Sequence, residues 1–285
     1  MLFVNVLDID FLLPLVKNLL GAGAAAALVY LAGRLRHYRR KKIFQRCFGS
    51  GVVTAKDVVM TVPLWCSIEG ERKVPRFVKK SPGRTEQRHY GPDQMYNRQD
   101  MLAAAHVLSV LNSHFEEEVS YSNDGEIAIW DQKTVVLIGS PLVNFHGQDY
   151  LDKYKQERPN DLFPYFLDRP ERKQTGGDLE ICDPRNGETY RSDDKNDYGL
   201  VLRLPNVFSK DATRHVFLIA GIHEWSTREA GRLFNAQWRT LGEEGLLRRL
   251  VRAVLPRRWQ EAPAPAGFVF RMNWGENGIG TGMKL

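Results

Sequence analysis

One stretch limits this chain before anything else does. The 21 residues Phe11–Leu31, FLLPLVKNLLGAGAAAALVYL, carry a single charge, Lys17, and are followed at once by the basic run RLRHYRRKK. At about 1.5 Å of rise per residue, a helix of that length covers roughly 30 Å, the thickness of a bilayer's hydrocarbon core. Pro14 falls near its start, where a helix tolerates proline, Lys17 can snorkel to the nearer interface, and Tyr30 sits where an aromatic belt belongs. Asp8 and Asp10 precede the run, while Arg34, Arg36, Arg39, Arg40, Lys41 and Lys42 follow it. By the positive-inside rule the chain after the run stays in the cytoplasm, which predicts a single-pass protein of the inner (cytoplasmic) membrane. A cleaved signal peptide is the main rival, but it would carry its positive charge ahead of the apolar run. An amphipathic helix lying in the interface is the other alternative.

The expected organisation is a short tail over 1–10, a transmembrane helix over 11–33, a basic juxtamembrane collar over 34–48 and one cytoplasmic domain over 49–285. Residues 1–48 hold eight Lys or Arg against two Asp, and the remainder holds 32 of each sign, so the whole net charge of +6 precedes residue 49. An electrically balanced domain argues against nucleic acid as its partner. The expected partner of Arg34–Lys42 is instead anionic lipid, at about 1 kcal/mol per basic residue near the surface. Gly21, Gly23, Ala25 and Ala27 form two overlapping small-xxx-small pairs, which would let membrane helices approach closely in a homo-oligomer. Cys47, Cys66 and Cys182 are odd in number and widely spaced, which disfavours both a disulfide framework and a structural zinc site. No metal ligand set is expected, and the sequence names no cofactor.

The domain reads as α/β. Apolar runs with β-branched residues predict strands near Val58–Pro63, Val119–Ser122, Thr134–Gly139, Gly199–Leu204, His215–Ile222 and Gly267–Asn273. Helices are predicted after a cap at Asp100, over Ser226–Leu241, and over Gly242–Leu255, where Leu246, Leu247, Leu250, Val251 and Val254 oppose Arg248, Arg249 and Arg252. ICDPRNGETYRS reads as a hairpin turning at Asn186-Gly187, and Glu69–Arg98 as a long loop. Apolar strands alternating with helices imply a mostly parallel sheet with helices on both faces, which the hairpin insert could make mixed.

Two strand ends stand out. VVLIGSPLVN breaks at Gly139-Ser140-Pro141 and is followed by Asn144, and VFLIAGIHEWSTREAGRLF breaks at Gly221 before a helix near Ser226. In open α/β sheets ligands sit beyond the carboxyl ends of such strands, where glycine admits a ligand to the backbone. Gly139, Ser140, Asn144, Gly221, His223 and Thr227 are therefore the candidate ligand-binding residues, and Glu224 the candidate acid/base or nucleophile. Plainer roles compete. Ser226 and Glu229 match a capping box, Gly139 and Gly221 suit tight turns, and Asn144 could bridge two loops through the backbone. Neither loop is a GxGxxG or a GxxxxGK[ST] phosphate loop.

The order IGSPLVN, DYGLVLRLPN and AGIHEWSTREA resembles a GGPxxN … strand … AG-x(4–6)-T-x-x-A arrangement of uncharacterised bacterial and archaeal proteins, some of them surface-layer proteins. The match covers residues 134–240. Asn144, Gly221 and Thr227 agree with it, and Ser140 replaces the second glycine. This resemblance implies a Rossmann-like domain and no particular activity. A fainter likeness is to nucleoside deoxyribosyltransferase-like and nucleotide-sensing α/β domains, an analogy at the level of fold. The expectation is a membrane-anchored sensor or effector that binds a small nucleotide-derived ligand, as in bacterial anti-phage signalling. The alternatives are a nucleotide N-glycosidic-bond-cleaving enzyme using Glu224, and a structural protein of the cell envelope.

Overall fold

The computed structural model describes residues 22–68, 71–73, 94–115, 118–123, 130, 133–141, 143–168, 179–241, 265–273 and 281–284. The chain divides into two units, Met1–Ile43 and Phe44–Leu285. Helix α1 spans Ala22–Phe48. In the first unit, residues 29–42 are exposed, with Arg34 over the Tyr30 ring at 5.8 Å and Lys42 over Tyr38 at 4.7 Å. Among the described residues no helix is long and apolar enough to cross a membrane. Residues 1–21, which include the first half of the predicted span, lie outside the described residues.

The last turn of α1 belongs to the second unit and is core. Phe44, Cys47 and Phe48 are buried. Phe48 packs on Phe217 at 4.8 Å between ring centroids, Phe44 meets Trp238 edge-on at 6.0 Å, and the Cys47 thiol donates to the Trp238 carbonyl at 3.2 Å. Burial of this kind is worth about 1.5–3 kcal/mol per large apolar side chain. It also pushes the Cys47 thiol up to about 12, against the opposing charge of Arg203.

The second unit continues with β1 (Val58–Val62), β2 (Leu64–Ile68), β3 (Glu71–Lys73), β4 (Gln94–Tyr96), α2 (Arg98–Asn112), β5 (Ser120–Asn123), β6 (Thr134–Ile138) and α3 (Phe145–Glu157). Then come β7 (Tyr165–Asp168), β8 (Leu179–Asp183), β9 (Glu188–Arg191), β10 (Asn196–Pro205), β11 (His215–Gly221), α4 (Glu224–Leu241), β12 (Ala266–Asn273) and β13 (Thr281–Lys284). The fold is mixed α/β. Seven strands form the main sheet in the order β13-β12-β10-β11-β6-β1-β5, and β3-β2-β4 and β7-β8-β9 form two small sheets. Strands β5, β1, β6 and β11 run parallel, while β10, β12 and β13 add antiparallel pairs.

Every residue of β6 and β11 is buried, as expected for central parallel strands covered on both faces. Alternation sends Val216 and Leu218 into one core with Val135, Leu137 and the α3 residues Tyr150 and Tyr154. It sends Phe217 to the other face, against Phe48 and Phe234 of α4.

Several expectations change. Four of the seven main strands are parallel and the sheet is mixed, but its antiparallel part is not the predicted hairpin, which lies in the small β7-β8-β9 sheet: β10 reaches β11 through a nine-residue loop, and so short a connection joins antiparallel neighbours. The cap of α2 is Asn97, whose side chain accepts from the Gln99 N–H at 2.7 Å; Asp100 lies inside the helix. Part of the Glu69–Arg98 stretch is strand, at β3 and β4. Helix α3 arises where no helix is predicted, because its buried face rests on two tyrosines among polar residues, a weak periodic signal. The amphipathic segment Gly242–Leu255 lies outside the described residues.

Candidate functional site

A cleft of about 540 Å³ opens beside the carboxyl ends of β6 and β11. Ser140 and Val143 line it from the β6 side, and Gly221, Ile222, His223, Glu224, Trp225 and Thr227 from the turn into α4. Asp100 of α2 and Asp193, from the approach to β10, complete the wall.

The turn that presents these groups is fixed by side chains within it. Helix α4 begins at Glu224, two residues before the predicted capping box. The Ser226 hydroxyl accepts from the His223 N–H at 3.2 Å and donates to the His223 carbonyl at 2.9 Å, so Ser226 reaches back from the first turn of the helix. Glu229 is left to pair with Arg232 at 2.7 Å. The Thr227 hydroxyl accepts from the Gly221 N–H at 3.0 Å. This closure requires glycine: a Cβ at position 221 would lie 2.0 Å from Ser226 Oγ and 2.4 Å from the Thr227 nitrogen.

The β6 end is built differently. Gly139 has φ +91°, which turns the chain out of the strand, and its N–H donates to the Ile219 carbonyl at 3.0 Å. Asn144 is fully buried behind the cleft wall and caps α3. Its Nδ2 donates to the Ile138 carbonyl at 2.8 Å and to Thr61 Oγ1 at 3.2 Å, and its Oδ1 accepts from the Gly147 N–H at 3.3 Å. Of the seven candidates, Ser140, Gly221, His223, Glu224 and Thr227 thus meet in one cleft. Gly139 and Asn144 stand behind it and shape the loop.

The strongest polar feature is one that the sequence reading did not include. Asp197, on β10, has no exposed surface. Its Oδ1 accepts from the Tyr198 N–H at 2.8 Å, from the Ser192 hydroxyl, and from His223 Nδ1 at 3.1 Å. A carboxylate can only accept here, so Nδ1 carries hydrogen and Nε2 is the nitrogen left for other partners. Burial pushes the Asp197 carboxyl up, but the hydrogen bonds it accepts, from His223 and Ser192 above all, outweigh it and hold it below the ordinary value. The Asp197 hydrogen bond raises His223 in turn, against burial, with the charges of Asp197 and Glu224 adding to the effect.

Glu224 accepts a short hydrogen bond from Asn97 Nδ2, which ties the start of α4 to the start of α2. Trp225 is 38% exposed and gives the cleft an aromatic edge. Among the described residues, no Lys or Arg lines the cleft, and no group of three or more His, Cys, Asp or Glu could hold a metal ion. Of the described lining residues, Asp100, Asp193 and Glu224 are acidic and His223 is the basic one.

One signal for Asp197 was available. In NDYGLVLRLP an acid stands at the start of a largely apolar strand, and a buried charge must be paired. Asp100 and Asp193 offered none, because the fold alone brings them to the two strand ends, whereas Trp225 lies within the second break, next to Glu224. Comparisons of the chain with protein-family models, with curated proteins and with solved structures find no match.

Proposed function

We propose that this protein is a membrane-anchored sensor or effector whose Rossmann-like domain binds a small nucleotide-derived ligand in the cleft between the ends of β6 and β11. The observation that carries the reading is the cleft itself. Its volume of about 540 Å³ suits a nucleoside-sized ligand, and it lies where open α/β sheets take their ligands. Trp225 offers a face for a base, and the carboxylates offer acceptors for hydroxyl and amino donors.

A sensor also needs a route from ligand to anchor, and α4 supports one. Its first residues line the cleft, and its Trp238 packs against the last turn of α1. In this reading residues 11–33 span the inner membrane with the domain in the cytoplasm, Arg34–Lys42 meet anionic lipid, and ligand binding alters self-association, as an anti-phage effector requires.

Calorimetry of the detergent-extracted full chain against nucleosides, nucleotides and cyclic oligonucleotides tests this. Binding that Trp225→Ala weakens at least tenfold is expected. No binding across the panel overturns the reading. A second reading, cleavage of an N-glycosidic bond with Glu224, is favoured by one observation: Glu224 shares the cleft wall with an Asp-oriented histidine.

A further inference from the structure

We infer that the cleft hydrolyses the N-glycosidic bond of a neutral nucleoside unit, with the His223 imidazolium as proton donor to the leaving base and Glu224 as the carboxylate that activates water. The inference rests on the reading that the cleft takes a nucleoside-sized ligand, and it adds turnover, a donor and a substrate class.

Three features combine. The first is a positioned proton carrier. His223 Nδ1 is held by a carboxylate with no exposed surface, itself fixed by Ser192 and the Tyr198 N–H, while about half the His223 side chain is exposed at the cleft. An imidazole oriented through Nδ1 by a buried acid transfers protons at Nε2. The second feature is the charge of the lining. Asp100, Asp193 and Glu224 line the cleft with no Lys or Arg among its described lining residues. Such a wall repels the phosphates of a nucleotide and stabilises a developing cation, and breaking the C1′–N bond makes the sugar an oxocarbenium ion. The third is Glu224, held by Asn97 and placed one residue from the donor.

The step balances. The C1′–N bond breaks with its electron pair passing to the base, and His223 Nε2–H supplies the proton that the base nitrogen needs. Water adds its oxygen to C1′ while Glu224 accepts a proton from it. That proton then returns to His223, leaving free base and ribose from nucleoside and water. Asp197 and Ser192 are positioning residues. The need for a donor selects a substrate whose base leaves as an anion unless protonated, in contrast to a pyridinium base, which already leaves neutral.

The test compares leaving groups. Full-length protein in detergent is assayed for base release from inosine, adenosine, guanosine and uridine, and for release of nitrophenolate from p-nitrophenyl β-D-ribofuranoside, whose leaving group needs no proton. Wild type is expected to turn over at least one nucleoside. His223→Gln is expected to lose about 10²–10³-fold on that nucleoside and less than about tenfold on the aryl riboside, as for a general acid. Glu224→Gln is expected to lose activity on both. Equal losses of His223→Gln on the two substrates overturn the donor role. Nucleoside binding without base release overturns the inference and leaves the ligand-binding reading standing. Absence of both binding and release overturns the two together. Because His223 is half exposed, its replacement leaves the core intact, and a wild-type circular dichroism spectrum with a single cooperative unfolding transition verifies this.

Discussion

Replacing Asn144 by alanine separates a structural role from a ligand contact, and its cost follows from three hydrogen bonds. Loss of the α3 cap at Gly147 removes about 1 kcal/mol. Loss of the two Nδ2 donations leaves the Ile138 carbonyl and the buried Thr61 hydroxyl each short of a donor, at about 1–3 kcal/mol for a buried group left unsatisfied. The expected destabilisation is about 3–7 kcal/mol, or roughly 6–28 °C in Tm for a domain of this size. Asn144→Asp sharpens the test. It keeps an acceptor for the Gly147 N–H but sets a carboxylate oxygen against the Ile138 carbonyl. The native state then favours the protonated acid, so this variant's deficit shrinks as pH falls, whereas that of Asn144→Ala does not. Urea titration followed by tryptophan fluorescence at several pH values measures both. An Asn144→Ala protein of wild-type stability that has lost only ligand affinity refutes the structural role.

Other expectations follow from the same geometry. Gly221→Ala forces a Cβ into Ser226 Oγ and the Thr227 backbone, at a cost of about 3 kcal/mol or more, visible as a lower denaturant midpoint. Phe48→Ala, which empties the pocket between Phe217 and Phe234, is expected to cost about 3–5 kcal/mol by the same measurement. Tyr150→Phe removes a 2.7 Å hydrogen bond to the Pro205 carbonyl inside the core and is expected to cost about 1–2 kcal/mol. The His223–Asp197 pair makes stability depend on pH. Because the folded-state histidine is raised, its contribution is complete below about pH 6.5 and fades as pH rises through the raised value. The stability gap between wild type and His223→Gln is therefore expected to narrow on going from about pH 6 to about pH 8, and a gap that widens contradicts the pairing.

Much of the scaffold could be read from the chain because its central strands announce themselves. TVVLI and HVFLIAG are apolar without interruption, which only a doubly covered strand tolerates, and they lie side by side with the cleft beyond their ends. What escaped depended on distant partners. Helix α3 carries a polar sequence and is helical because Tyr150 and Tyr154 find a sheet to rest on. The antiparallel side of the sheet follows from a loop length rather than from any pattern in β10. At the site, five of seven candidates sit on the two breaks themselves, where sequence order suffices. Asp197 comes to lie behind His223, and Asp100 beside the cleft, through strand and helix pairing, which periodicity does not encode. Asn97 was hidden differently: its cap role belongs to a helix that starts three residues earlier than a cap at Asp100 implies.

The cysteine at the end of α1 has a use beyond packing. With its thiol shielded and held up near 12, Cys47 is inert to alkylating reagents for as long as the last turn of α1 stays docked. Its modification rate is therefore a clock for undocking, read against the other two cysteines by residue-resolved mass spectrometry. A ligand that stiffens α4 slows that clock, and one that loosens Trp238 speeds it. The protein thus carries its own probe of whether an event at the cleft reaches the helix that leaves the domain.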